Sequence, residues 1–273
     1  MTKIAVVQMR SSTDMERNLK DATALVREAA SRGARYVQTP EVSNIFEPDK
    51  ERLKAVAMTP EQDIFVGGFS ALAKQLGIHL HAGSLALNAG GEKLANRSFL
   101  FGPDGRVIAN YDKIHLFDID LPSGESYRES ATYNPGAAAV TAQLPDFKLG
   151  LAICYDMRFP RLANTLANAG ANVLTYPAAF TVPTGQAHWH VLLRARAIET
   201  GSFVLAAAQG GTHDSGRATY GHSIVISPWG EVLAEAGDDP GVLVVDIDPA
   251  LSAAIRARIP ALVHARDFAL KQV

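Results

Sequence analysis

Gly33-Ala34-Arg35-Tyr36-Val37-Gln38-Thr39-Pro40 returns further along the chain as Gly170-Ala171-Asn172-Val173-Leu174-Thr175-Tyr176-Pro177. Each stretch reads as a helix ending at glycine, a short strand, and a proline that closes it. A second pair follows in the same order, Pro103-Asp104-Gly105-Arg106-Val107-Ile108-Ala109 and Pro228-Trp229-Gly230-Glu231-Val232-Leu233-Ala234. Each of these is a turn followed by a strand. Two pairs in one order leave two readings open, shared turn chemistry or an αβ half used twice. Two such halves would form sheets packed face to face with helices outside, a single-domain α/β fold of four layers, αββα.

The segments around these stretches fit that alternation. Residues 4–7 are a fully apolar, β-branched run, suited to a buried strand. Thr13 and Glu16 have the spacing of a capping box for a helix that carries Leu19, Ala22, Leu25, Val26 and Ala29 on one stripe. Thr59, Pro60 and Gln62 predict the start of a second helix, with Ile64, Phe65, Phe69, Leu72 and Ala73 buried and Gly77 as its end. Strands are expected over 78–85, 98–101, 106–109, 149–153, 173–176, 203–208, 223–226, 231–234 and 242–247. Helices are expected from Pro160 to about Ala169 and over 187–199. Residues 114–136 show no sustained period and contain Pro122, Gly124, Pro135 and Gly136; a long irregular segment inside a compact chain is usually functional.

The composition excludes several classes. The 273 residues hold 26 Lys and Arg against 28 Asp and Glu, a net charge of −2, which argues against a nucleic-acid or polybasic membrane binder. Hydrophobic residues at 47% exclude a disordered chain. A single cysteine excludes an intrachain disulfide and a thiolate-only zinc site. The apolar run near Met1 is too short for a signal peptide, and no run reaches the ~18 residues of a membrane span. These features predict a soluble cytoplasmic protein, enzyme or binder.

Cys154 closes the strand Leu149-Gly150-Leu151-Ala152-Ile153 and opens a turn, Tyr155-Asp156-Met157-Arg158-Phe159-Pro160, that leads into a helix. A thiol there is held outward, and a helix N-terminus with Arg158 close by favours its anion. A thiol nucleophile needs a base or a positive partner. Glu41 directly follows the strand closed by Pro40. Lys113 lies in Tyr111-Asp112-Lys113-Ile114-His115-Leu116-Phe117-Asp118, beside the irregular segment. Glu129 falls within that segment. If these residues act together, Glu41, Lys113 and Cys154 converge on one pocket with their tips within ~3–6 Å. A rival site is His79 with His81, two apart on one strand face and able to chelate a metal if a third ligand joins them. His188 and His190 diverge on their helix. No glycine-rich phosphate loop is present.

In these residues the chain resembles the nitrilase superfamily of carbon–nitrogen hydrolases, whose members carry Glu, Lys and Cys in that order. The resemblance runs from Ile4 to about Phe268. It is strongest to the amidase branch that holds deaminated glutathione amidase and omega-amidase, through Thr175-Tyr176-Pro177-Ala178-Ala179-Phe180, Thr184-Gly185, Ala187-His188-Trp189, residues 193–200 and Tyr220-Gly221-His222-Ser223. Leu205-Ala206-Ala207-Ala208-Gln209 leans toward the deaminated glutathione enzyme. The resemblance implies an αββα sandwich and helix-mediated pairing into a homodimer or larger homo-oligomer. It implies a thioester mechanism with Cys154 as nucleophile, Glu41 as base, and Lys113 with the backbone N–H of Tyr155 at the oxyanion. Neither cofactor nor metal is called for. A second glutamate is implied in the irregular segment, either Glu129 or Glu125. Arg158, Phe180 and Thr184 are the expected substrate contacts, Arg158 for a substrate carboxylate. The implied reaction converts deaminated glutathione to 2-oxoglutarate and Cys-Gly, with alpha-ketoglutaramate as the alternative substrate. One departure stands out: His190 replaces the glutamate of the branch's His-Trp-Glu, which bears on substrate preference. The alternatives are a metal-dependent amidohydrolase built on His79 and His81, and a small-molecule binding protein on the same scaffold. Residues 1–273 are expected to form one domain, with Leu262, Val263, Phe268 and Leu270 of the 260–273 tail at a subunit interface.

Overall fold

The computed structural model describes residues 1–121 and 124–272; Pro122 lies outside the described residues. Along the first strand, Thr2–Gln8, side chains alternate between two apolar environments. Ile4 and Val6 face the second sheet, while Ala5 and Val7 face helices. A strand apolar on both faces can only be central to a layered fold.

Two six-stranded sheets form the inner layers. The first runs, in spatial order, Gly241–Ile247, Thr2–Gln8, Tyr36–Gln38, His79–Asn88, Leu94–Phe101, Val107–Asp112. The second runs Val140–Gln143, Lys148–Leu151, Val173–Thr175, Phe203–Ala206, Ile224–Ile226, Val232–Glu235. Read in these directions the two sheets share one pairing pattern, an antiparallel edge, two parallel pairs and two antiparallel pairs. This is the αβ half used twice. The quoted repeats fall on equivalent strands, and Gly33 and Gly170 share a φ of 92° at equivalent helix ends.

Helices Met15–Ser31 and Ile64–Leu76 cover the first sheet through Ala22, Val26, Ala29, Phe65 and Phe69. Helices Pro160–Asn168 and Val182–Thr200 carry Leu162, Leu166, Trp189 and Leu193 in the core of the second. The result is the four-layer αββα sandwich.

Several local expectations differ. The first helix is capped by Asp14, which accepts from the Arg17 N–H, while Thr13 bonds to Asp214. The helix at Ile64 is capped by Asp63, which takes the Phe65 and Val66 N–H groups; Thr59–Gln62 is a separate turn. In both cases a carboxylate beside the first helical residue prevails over a more distant hydroxyl. Helices Lys50–Val56 and Ala250–Arg258 and strand Val140–Gln143 carry no strong sequence signal. The irregular segment holds a small hairpin, Asp118–Asp120 with Ser126–Arg128, and a 3₁₀ turn, Glu129–Ala131.

Candidate active site

Three side chains leave the ends of strands at one end of the sandwich. Glu41 follows Tyr36–Gln38, Lys113 follows Val107–Asp112, and Cys154 follows Lys148–Leu151. Glu41 and Cys154 leave parallel strands at their C-terminal ends, where open α/β sheets place ligands.

The backbone is strained at two of these exits. Val42, next to Glu41, has φ 46°, and Cys154 itself has φ 47°. A β-branched or bulky residue in this region costs about 1–3 kcal/mol and persists only where its surroundings impose it. The surroundings are visible. The Val42 N–H donates to Ser84 Oγ, and Gln209 Nε2 donates to the Glu41 carbonyl. The Cys154 N–H donates to the Pro177 carbonyl, and Asp156 Oδ2 accepts from the Ile153 N–H at 2.8 Å. Asp156 is fully buried and also takes Tyr111 Oη at 2.7 Å and the His115 N–H at 3.1 Å, with His115 Nδ1 at 2.7 Å. Asp156 therefore ties the Cys154 turn to the segment that carries Lys113.

Lys113 Nζ reaches Glu41 Oε1 at 2.7 Å and both oxygens of Glu129 at 2.9 and 2.8 Å. It is 2% exposed, which turns an ordinary ion pair into a constraint on position. Glu41 Oε2 accepts from the Ala179 N–H at 2.8 Å. Asn96 Nδ2 donates to both Glu41 and Glu129, at 3.0 and 3.1 Å. Glu129 Oε2 also takes the Phe117 N–H. Glu125, the alternative second glutamate, sits exposed by the hairpin turn, so Glu129 is the one that meets Lys113.

Burial pushes the Glu41 carboxyl up, but the Lys113 charge and hydrogen bonds from Lys113, Cys154 and Asn96 outweigh it and hold Glu41 below its ordinary 4.5. Burial lowers Lys113, yet Glu129 and Glu41 hold it well above the usual lysine range. Burial, then the Glu41 charge, pushes the Cys154 thiol well up, against the pull of Lys113. The resting site is a carboxylate, an ammonium and a neutral thiol. This corrects the helix-stabilised thiolate. A 3₁₀ turn, Cys154–Arg158, intervenes, and the α-helix begins at Pro160.

A cavity of about 380 Å³ opens over the cluster, within the ~300–1,000 Å³ of ligand sites. Glu41, Asn96, Lys113, Glu129 and Cys154 line it, with an apolar wall of Ile45, Phe46, Phe117, Tyr127, Tyr133 and Phe180, and with Arg217. Of the expected substrate contacts only Phe180 is in the lining. The Arg158 guanidinium lies 5.5 Å from the Phe180 ring centroid and 5.7 Å from that of Tyr155. Thr184 is turned to Thr181 Oγ1 at 2.7 Å. His190 points elsewhere, to Glu235 at 2.7 Å, so the departure at that position does not reshape the cavity wall.

The rival histidine site is already committed. Tyr36 Oη and Ser98 Oγ occupy the two ring nitrogens of His81, and burial lowers its pKa to about 3. Sequence reading missed Asn96, Asp156 and Arg217. An asparagine on a strand and an acid inside a turn resemble ordinary structural polar groups, and Arg217 sits in the turn His213-Asp214-Ser215-Gly216-Arg217, where arginines are normally solvated.

The family model for carbon–nitrogen hydrolases matches residues 3–257. The chain belongs to the carbon–nitrogen hydrolase family. Deaminated glutathione amidase of Bos taurus is 40% identical over 268 residues, 96% of this chain and 81% of that protein. Omega-amidase NIT2 of Homo sapiens is 39% identical over 258 residues, 94% of this chain and 92% of that one. The crystal structure of Saccharomyces cerevisiae Nit3, a member of branch 10 of the nitrilase superfamily, superposes with a TM-score of 0.85 at 32% identity, covering 95% of this chain and 94% of that one. This carbon–nitrogen hydrolase is an amidase, and the cluster of Glu41, Lys113, Glu129 and Cys154 is where its geometry concentrates reactive groups.

Proposed function

We propose that this amidase cleaves a small carboxylate-bearing amide through a thioester on Cys154, with deaminated glutathione as substrate and 2-oxoglutarate and Cys-Gly as products. The observation that carries the reading is the buried ammonium of Lys113 held between Glu41 and Glu129 in a cavity that also exposes the only cysteine.

The charges dictate the order of events. A neutral thiol attacks poorly, so its proton passes to Glu41 as sulfur bonds to the amide carbon. The negative charge then moves from Glu41 to the carbonyl oxygen. Both positions lie beside Lys113, so the ammonium stays paired while its stabilisation shifts to the tetrahedral oxyanion. The Tyr155 N–H is the second donor. Glu41 returns the proton to the amide nitrogen, the C–N bond breaks and the amine leaves. Water attacks the thioester with Glu41 again accepting a proton; the C–S bond breaks and Cys154 regains its proton. Glu129, held by the Phe117 N–H and Asn96, keeps Lys113 in place throughout. Arg158 lies outside the cavity lining, with its guanidinium 3.2 Å from His188 Nδ1, and takes no part in these steps. No step calls for a metal or cofactor.

Alpha-ketoglutaramate, the omega-amidase substrate, is the second candidate, on the similarity to NIT2. Parallel turnover assays on the two amides decide between them, and Cys154→Ala should be inactive on both. A wild-type chain that turns over neither, or an active Cys154→Ala, overturns the reading.

We further propose that residues 1–273 act as one hydrolase unit in a cytoplasmic homodimer with the 260–273 tail at the interface, since Val263, Phe268 and Leu270 are strongly exposed in the single chain. Among the described residues no helix is long and apolar enough to cross a membrane.

A further inference from the structure

Arg217 lines the cavity, yet among the described residues its guanidinium makes no ion pair and no hydrogen bond, and its buried Nε has no partner. Arg217 is half-buried, and a buried guanidinium N–H without an acceptor carries a cost that an anion in the cavity would relieve. The lining carboxylates are engaged elsewhere, Glu41 and Glu129 on Lys113 and Glu47 on the Asp49 N–H.

The mounting of Arg217 is rigid. Its guanidinium lies 5.1 Å from the Phe46 ring centroid and 4.9 Å from that of Tyr127, faces that hold its plane and leave its donor edge free. The turn that carries it is fixed by His213, whose ring contacts the Ser11 carbonyl at 2.7 Å and Thr219 Oγ1 at 2.8 Å and stacks on Phe46 at 3.8 Å. Asp214 in the same turn accepts from Thr13. Lys50 adds positive charge to the lining, while Arg128 is paired with Asp120 at 2.7 Å.

The side of the cavity follows from Glu41. That carboxylate must hand its proton to the departing nitrogen, so the leaving group lies toward Glu41 and the segment that follows it. Val42, Ile45 and Phe46 of that segment line the cavity, and Phe46 is the ring on which Arg217 rests.

We propose that Arg217 binds a carboxylate carried by the leaving group, so that the enzyme selects amides whose departing amine ends in a free acid. The proposal rests on the amidase reading above and adds a specificity subsite to it.

The test uses one acyl group and two leaving groups, deaminated glutathione and its C-terminal carboxamide, with alpha-ketoglutaramate as a control for basal activity of the wild type. On the wild type, amidation should lower kcat/KM by about ten- to a hundredfold, the scale of a charge-assisted bidentate contact. In Arg217→Gln the ratio between free acid and carboxamide should fall to near one. Arg217→Lys, which keeps the charge and loses the fork, should give an intermediate ratio. A wild type indifferent to amidation overturns the proposal without any variant being made. So does a folded Arg217→Gln that keeps the wild-type ratio. A wild type that hydrolyses none of the three amides overturns the amidase reading itself, and the proposal with it.

Discussion

A carboxylate, an ammonium and a thiol shut away from water hold each other's protons in place, and this has kinetic consequences that can be measured. Glu41 lies below its ordinary 4.5 because Lys113 favours its anion, and Cys154 lies well above 9.0 because burial and Glu41 disfavour the thiolate. The form with carboxylate, thiol and ammonium therefore dominates from below pH 4.5 to above pH 9.0. A profile of kcat/KM against pH should be flat between these limits apart from ionisation of the substrate. The acid limb should appear below 4.5, as Glu41 takes up a proton. The same depressed pKa means that Glu41 stabilises the fold above 4.5 and that this contribution is lost as pH falls. Glu41→Gln keeps the shape and the contact with Asn96 but cannot accept the proton; it should cost ~10²–10⁴ in kcat. Lys113→Ala should act differently from Cys154→Ala. It leaves two carboxylates facing each other without a cation between them, at roughly 3–5 kcal/mol, so its melting temperature should fall along with kcat. Trimming the sulfur should abolish turnover and leave the melting temperature nearly unchanged.

The elements explain why these residues meet, and here sequence and structure can be compared point by point. The two copies of the glycine–strand–proline stretch and of the hairpin turn mark equivalent strands of the two sheets, so the repeat and the layers were legible. Glu41, Lys113 and Cys154 were legible as candidates because each follows or ends a strand beside a loop. The network around them was not. Asp156 bonds to Tyr111 and His115, 45 and 41 residues away, and no local pattern encodes such a contact. Gly83 shows the same limit. It lies in strand His79–Asn88 where the register shifts, and a Cβ there would meet the Thr39 carbonyl oxygen at 1.9 Å and Pro177 Cβ at 2.5 Å. Only glycine lets the Glu41 exit and the equivalent Pro177 exit of the other half approach this strand together. Gly83→Ala should therefore cost about 3 kcal/mol or more, because backbone rather than a flexible side chain must give way. At ~2–4 °C per kcal/mol for a chain of this size, thermal unfolding should show a drop of at least roughly 6 °C. An unchanged melting temperature would show that the two exits can separate.

At the scale of the whole molecule, one group of exposed apolar side chains gathers around a single helix. Val191 and Ile198, seven residues apart on helix Val182–Thr200, share a helical face and are 67% and 53% exposed. The Trp229-Gly230 turn adjoins that face, since a Cβ on Gly230 would meet Ile198 at 2.7 Å, and Trp229 is itself exposed. The short helix Ala261–His264 packs by helices Pro160–Asn168 and Val182–Thr200, and Phe268 and Leu270 extend beyond it at 92% and 82% exposure. A patch of this kind on one face is what a two-fold interface would cover, each copy offering the same helix and tail to the other. Light scattering at micromolar concentration should give twice the 29.2 kDa chain mass. Val191→Asp combined with Ile198→Asp should shift the mass to that of one chain, because each charge would be buried against its counterpart without a partner. Neither residue lines the cavity over Cys154, so loss of the dimer would test the interface separately from the chemistry. A wild-type chain that stays monomeric at these concentrations would leave the exposed helix face and tail without the partner proposed for them, and would rule out the dimer.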